Sequence, residues 1–437
     1  MKTTVEDLTS VKKKLMIEIN AEEVEKRVDK TFRDYGKKAK IKGFRPGKIP
    51  RKILENYFGK QIIEEVADSL VRETLPKALD ETKLLPLNIP LIENEVLKKG
   101  SEYHYSAIME VKPEFDLAEY KGIEVEKEIC SITDEDVTKQ LEAIREANAI
   151  LNPLSEKRGI REGDYVVVDY EGKDDNGPIE GIKGQNFSLI VGKKRFYPDV
   201  EDALVGREKG ESFTKLVEFE DDYFHTKLAG KRVTFDVQII EVKEVKLPEL
   251  DEELFKKLGE EVQNLDELKQ KIRESLLSRE EKRINKQLKE RLLDKIAKKA
   301  DFELPESLVD AETTAGIESV KQNLVQAGSD FEKSGLDEEK LREEFRPISE
   351  KKVKNFFILG EIAKQNDLQV SDQDIEEGFN EISKEMGYDP AVLRRYYEAN
   401  NMMDSYRQSL LKEKTLNYLV ENAKVVEVNA EKIPRAT

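Results

Sequence analysis

The chain has 437 residues, too many for one ordinary core, so about two to four domains are expected. Charged and hydrophobic residues each make up 38%, aromatics 7%, and Trp is absent; that mixture points to helical domains with solvated faces and clefts, not to one thick core. A formal net charge of −17 argues against a dedicated nucleic-acid binder, and the single Cys130 excludes an internal disulfide framework and fits a reducing compartment.

The opening MKTTVEDLTSVKKKLMIEI has no apolar signal core, and no later stretch approaches the roughly 20 apolar residues of a membrane span. A soluble, cytoplasmic chain with no membrane partner is expected. Lys13 to Ile19 alternates polar and apolar (Leu15, Ile17, Ile19) and predicts a half-buried strand. Val24, Val28 and Phe32 then recur at four-residue steps behind Asn20, which reads as a helix with its N-cap. After a glycine-proline loop, Ile62, Val66, Leu70 and Leu79 predict a long helix, and Ile89 to Leu97 with Tyr103 to Val111 a closing hairpin turning near Lys99-Gly100.

Pro113 to about Leu154 reads as a connection holding a short strand and a helix. Between Gly159 and Lys243 glycines are frequent and apolar runs short. Tyr165 to Tyr170, Phe187 to Val191, Ser212 to Val217 and Arg232 to Val242 predict strands separated by turns such as Asn176-Gly177. From Asp251 onward the pattern is nearly all helical. Asn264 and Glu267 have capping-box spacing, and Leu268, Ile272, Leu276, Ile284, Leu288, Leu292 and Ile296 form a stripe. Pro305 and Pro390 suit helix starts, and Val353 to Ile362 and Leu410 to Leu419 are further apolar helix segments.

Every charged side chain from Lys37 to Lys52 is basic. Within this run Gly43-Phe44-Arg45-Pro46-Gly47-Lys48-Ile49-Pro50 spells a tight turn, because glycine permits positive φ and proline locks its own. An aromatic held among cations suits a surface made of RNA phosphate and protein. Loop composition alone equally allows a solvated turn with Phe44 tucked into its own domain. A phosphate-cradling loop does not fit: the Gly43 to Lys48 spacing is one residue short, and Ile49 replaces the required hydroxyl. The string resembles the ribosome-docking signature of trigger factors. That resemblance implies that Gly43, Phe44, Arg45, Pro46, Gly47 and Lys48 form the docking loop, with Phe44, Arg45 and Lys48 contacting large-subunit protein and RNA at the exit tunnel.

The β-rich stretch carries Tyr170, Phe187, Phe196, Tyr197, Tyr223, Phe224 and Phe235 without a plausible catalytic dyad. Such a set reads as ordinary core or as an aromatic-lined cleft. Val166-Val167-Val168-Asp169-Tyr170-Glu171-Gly172 resembles the opening strand of the FK506-binding-protein isomerases, and Phe187 to Gly192, Phe196 to Asp202 and Arg232 to Ile240 follow in the same order. The resemblance implies an antiparallel sheet curled around a short helix near Val200. The implied prolyl pocket is Tyr170, Ile179, Glu180, Phe187, Phe196, Tyr197, Val200, Tyr223 and Phe235. The chain departs from that family where Tyr197-Pro198-Asp199-Val200 replaces isoleucine-proline-glycine-phenylalanine and Glu180 replaces an aspartate. A smaller floor residue and an added carboxylate are expected to weaken catalysis.

The only histidines, His104 and His225, do not neighbour Cys130 in sequence, so no metal and no cofactor are expected. Asn355 to Ile362 resembles the corresponding helix of trigger factors, whose helical domain cradles unfolded chains. Phe356, Phe357, Met402 and Met403 are the candidate client-binding residues, against the ordinary reading that such stripes pack between helices.

The expected architecture is therefore multidomain α+β. It comprises an N-terminal α+β ribosome-binding domain (1–115), a linker (116–154), an inserted FKBP-like antiparallel β domain (155–245) and an all-helical chaperone domain (246–437). The expected function is an ATP-independent chaperone and peptidyl-prolyl isomerase. Its expected partners are the ribosome, nascent and unfolded polypeptides and, off the ribosome, a second copy of itself. The alternatives are a free cytosolic isomerase whose other domains only recruit substrate, and an RNA binder reading nucleic acid through Lys37 to Lys52.

Overall fold

The computed structural model describes the chain except for residues 42–43, 45–47, 99, 155–157, 176, 222, 224–227, 259–261, 263, 332–333 and 430–437. It divides into two compact units, one formed by Met1–Ile129 with Asn285–Thr437 and the other by Cys130–Ile284.

The first unit opens with β1 (Lys2–Asp7), β2 (Lys12–Ile19), α1 (Ala21–Lys38), α2 (Arg51–Thr82), β3 (Leu91–Asn94) and β4 (Tyr103–Glu110). The strands form an antiparallel sheet in the order β1-β2-β4-β3. Register places Leu15, Ile17 and Ile19 opposite Ala107, Tyr105 and Tyr103, so one face of the sheet is apolar. Val24, Val28 and Phe32 of α1 with Ile62, Val66 and Leu70 of α2 close over it. Asn20 caps α1 through the Glu23 N–H at 3.1 Å, as its place before the stripe requires. β1 has no counterpart among the predicted strands: KTTVED pairs along β2 as a solvated edge, with no apolar alternation to announce it.

The same unit continues through β5 (Glu124–Glu128) and resumes in its second segment. The second unit contains α3 (Asp134–Ala147), β6 (Ile150–Pro153), β7 (Tyr165–Asp174), β8 (Gly177–Ile190), α4 (Pro198–Asp202), β9 (Ser212–Glu218), β10 (Arg232–Lys246) and α5 (Glu252–Lys257). Its sheet runs β6-β10-β7-β8, with β9 also on β10. Val166, Val168, Phe235, Val237 and Ile239 point inward onto Val200 and Leu204. A smaller core joins Val137 and Leu141 of α3 to Phe255, Leu268 and Ile272.

α6 (Leu265–Ala297) crosses the division; beyond it lie α7 (Glu306–Gln326), α8 (Glu338–Gln365), α9 (Asp372–Met386), α10 (Pro390–Ala399), α11 (Met403–Glu421) and β11 (Lys424–Val428). Leu288, Leu292 and Ile296 pack on Ile358, Leu359, Ile362 and Leu419, which accounts for the long apolar stripes. Asp389 caps α10 ahead of Pro390. The all-helical expectation needs one correction. Lys424–Val428 forms a strand, parallel to β5; its short KVVEV run is β-branched but lies behind a long helix, and its partner is 300 residues away at Lys424–Glu124. Among the described residues no helix is long and apolar enough to cross a membrane.

Candidate functional site

The inward positions of β7, β8 and β10 bring Tyr170, Phe187 and Phe235 together, and the segment before α4 adds Phe196 and Tyr197. Tyr170 stands edge-on to Phe196 at 4.9 Å and to Phe187 at 5.6 Å between ring centroids. Tyr197 follows at 4.8 Å from Phe196 and 4.5 Å from Phe235. Val200 and Phe235 are each 0% exposed and form the floor. Tyr170, Ile179, Phe187, Phe196, Tyr197 and Tyr223 pack on that core while keeping part of their surface open. The Glu180 side chain, Phe224 and His225 lie outside the described residues.

Glycine shapes this wall. Gly184 faces Tyr170 across the β7–β8 ladder, and a Cβ there would lie 2.5 Å from the Tyr170 ring. Phe219 was not singled out in the sequence, yet its ring sits 4.6 Å from Tyr223 and 6.0 Å from Tyr197. Its signal was weak because it follows the strand as one more apolar residue. Burial pushes the Tyr197 phenol up to about 12, helped by Tyr170 and Tyr223, and raises Tyr170 and Tyr223 as well. All three therefore stay neutral near pH 7.

A ring-lined cleft with no nucleophile among its described residues can bind a prolyl ring and disfavour the charge-separated planar amide. A concavity of ≈ 530 Å³ has Asp169, Glu171, Lys183 and Asp236 in its lining, and Tyr170 and Gly184 of the ring wall border it. Its Glu171 and Asp236 carboxylates share the single Lys173 ammonium at 2.9 Å each, so its lining is charged where the ring cleft is apolar.

Of the basic loop, Phe44 is 38% exposed and its N–H donates to the Ile41 carbonyl at 3.0 Å. Lys48 is exposed and Ile49 is buried beneath it. Gly43, Arg45, Pro46 and Gly47 lie outside the described residues.

The four candidate client residues do not share a surface. Phe356 is 59% exposed, but Phe357 is 2% exposed and packs with Val309 and Val353. Successive helix residues point about 100° apart, so both rings cannot face outward, and Phe357 is corrected to a core residue. Met402 is exposed, whereas Met403 packs against Ile375, Phe379 and Tyr406. An apolar row went unread instead: Tyr388, Val392 and Tyr396, at four-residue steps, are 57%, 56% and 59% exposed. Leu393 and Tyr397 supply the packed face of α10, and sequence periodicity cannot tell the two faces apart when both are apolar.

The curled sheet, the short α4 and the aromatic cleft define an FKBP-type peptidyl-prolyl isomerase domain carried within a larger α+β protein. The family model described as FKBP-type peptidyl-prolyl cis-trans isomerase matches residues 156–240. Those for the bacterial trigger factor protein and its C-terminus match residues 1–144 and 264–421. The chain belongs to the bacterial trigger factor family. It is 36% identical to the trigger factor of Geobacter metallireducens over 98% of this chain and 99% of that one. It is 34% identical to that of Halalkalibacterium halodurans, over 94% and 96%. A solved trigger factor chaperone, studied for promiscuous substrate recognition in folding and assembly, aligns over 96% of this chain and 99% of its own. Its TM-score is 0.52 at 23% identity, a likeness of fold.

Proposed function

We propose that the chain is a cytoplasmic, ATP-independent chaperone that docks beside the ribosomal exit tunnel, shields nascent chains and isomerises X–Pro bonds. The functional division follows the expected 1–115, 155–245 and 246–437 segments joined by 116–154. Docking rests on Phe44, Arg45 and Lys48 within the Gly43–Lys48 string. Client contact rests on Phe356 and Met402 together with the Tyr388, Val392 and Tyr396 row.

The observation that carries the isomerase reading is the half-open set of neutral rings over the buried Phe235 and Val200 floor. Rotation about a peptide bond faces a barrier of roughly 18–20 kcal/mol. X–Pro bonds are the ones that populate both isomers and exchange slowly enough to limit folding. A twisted amide is less polar than a planar one, so an apolar cleft that holds the carbonyl by one N–H favours the transition state. The Tyr197 N–H is the candidate donor, since it has no partner among the described residues.

The exposed Val392 and Tyr396 of α10, with Tyr388 just before it, favour a chaperone over a free isomerase, because an isomerase needs no apolar surface outside the unit that carries its pocket. The test is ribosome co-sedimentation of the wild type against a Phe44→Ala, Arg45→Ala, Lys48→Ala triple variant. The expected result is loss of binding in the variant with unchanged isomerase activity. Equal binding by both refutes the docking loop.

A further inference from the structure

Between β8 and α4 the chain makes a short excursion, residues 191–197, that ends in Phe196 and Tyr197. Two of its residues occupy the left-handed region: Gly192 at φ +92° and Lys194 at φ +53°. The second is unfavourable for a side chain bearing a Cβ. Left-handed residues in such a run turn successive N–H groups toward one point, a concavity that suits an anion.

The anion is supplied by the chain itself. The Glu201 carboxylate accepts from the N–H groups of Gly192 at 2.7 Å, Lys194 at 2.9 Å and Phe196 at 3.3 Å. Glu201 is 1% exposed, and among the described residues no cation pairs with it. A carboxylate buried without a counter-charge is costly unless its oxygens are hydrogen-bonded. Here three backbone donors meet that need, and in return fix alternate residues of the excursion. Those bonds orient the peptide planes that lead directly into Tyr197. They also hold the Phe196 ring 5.0 Å from Phe187 and 4.9 Å from Tyr170.

We propose that Glu201 is the positioning residue of the prolyl cleft: a buried carboxylate that locks residues 192–196 so that the Phe196 and Tyr197 rings and the Tyr197 N–H face the substrate. This rests on the isomerase reading of that cleft. Glu201 itself touches no substrate. It acts through the backbone, as supporting groups do around other preorganised sites.

The test uses the full-length protein and a saturable X–Pro tetrapeptide. Glu201→Gln keeps the shape but removes the charge and sets an NH2 against one of the three donors. The expected result is a fall in kcat/KM of about 10- to 100-fold, the scale of a misplacement near 1 Å. The Gly192, Lys194 and Phe196 amide protons should move upfield, having lost a charge-assisted bond.

Adding Lys194→Gly, which relieves the left-handed strain, should recover part of the lost activity in the double variant. A residue serving only global stability predicts a lower folded fraction with kcat/KM per folded molecule unchanged. Glu201→Gln with shifted amides and kcat/KM within twofold of wild type overturns the proposal.

Should the variant fail to fold, the wild type still decides. Gly192, Lys194 and Phe196 amides that are protected from hydrogen exchange and stay protected when the peptide binds support it, and amides that exchange as fast as an open loop overturn it. A wild type that neither turns over nor binds the peptide overturns the isomerase reading itself, and this role for Glu201 with it.

Discussion

Gly184→Ala tests the cleft by adding one methyl group. The new Cβ would lie 2.5 Å from Cε1 of Tyr170 and 3.1 Å from its Cζ. Carbon atoms sit comfortably at about 3.5–4.0 Å, so the ring must withdraw by about 1 Å. It has little freedom to do so, because Phe196 and Phe187 meet it edge-on at 4.9 and 5.6 Å. Overpacking of this kind costs about 1–3 kcal/mol. Replacing glycine returns about 0.4–1 kcal/mol through the unfolded chain, which leaves a net loss of about 1–2 kcal/mol by those two ranges. Catalysis should suffer more than stability: a ring displaced by about 1 Å corresponds to a loss near 100-fold. A protease-coupled or NMR-exchange assay on an X–Pro peptide measures the rate, and chemical denaturation the stability. Isomerase activity within twofold of wild type, with unmoved Tyr170 ring signals, refutes the assignment of Tyr170 to the cleft.

Two further predictions separate surface from core and fix an acid limit. Tyr388→Ser with Tyr396→Ser should weaken suppression of client aggregation at a stability cost within about 0.5 kcal/mol, whereas Phe357→Ala should cost about 3–5 kcal/mol by opening the core it shares with Val309 and Val353; equilibrium unfolding and a light-scattering assay check both. Burial pushes the Asp164 carboxyl up, but the Arg158 guanidinium at 2.6 and 2.9 Å and the Arg161 N–H outweigh it and hold it below the usual carboxylate range. A depressed folded-state pKa contributes stability above the unfolded value of about 3.9, and that contribution is lost as pH falls through the lower folded value. Protection of residues 158–245 against hydrogen exchange, relative to the intrinsic rate at each pH, should therefore fall below about pH 4 in the full chain, and an acid limb unchanged in Asp164→Asn would contradict this.

What could be read from the residues alone depended on whether the deciding interaction was local. α1 was legible because Asn20, Val24, Val28 and Phe32 state a cap and a face within one segment. The cleft aromatics were named by resemblance; alternate strand positions bring Tyr170, Phe187 and Phe235 to one side, whereas Phe196 and Tyr197 reach it from the excursion before α4. β11 was not legible, since its pairing with β5 is decided far along the chain. The Tyr388, Val392 and Tyr396 row failed for a different reason: a periodic apolar row marks an interface without saying whether it is filled. Glu201 was invisible as one carboxylate among many, because its value comes from three backbone donors that no side-chain pattern announces.

The charge distribution fits a protein that must choose one surface among many anionic ones. At physiological salt the screening length is about 8 Å, so a net charge of −17 is felt by a partner mainly through whichever face it approaches. The Lys37 to Lys52 run presents cations around Phe44, and part of that charge is already committed. Arg51 bonds Asp29 at 2.6 Å and lies 5.0 Å over the Phe32 ring, which anchors the start of α2 rather than advertising a phosphate site. Lys38, Lys40, Lys48 and Lys52 are exposed, a set that binds RNA by charge alone. Affinity for bare RNA should then fall steeply with salt, while binding that also seats Phe44 against protein should keep an apolar part that salt does not screen. A salt slope for the ribosome as steep as that for free RNA would remove Phe44 from the contact.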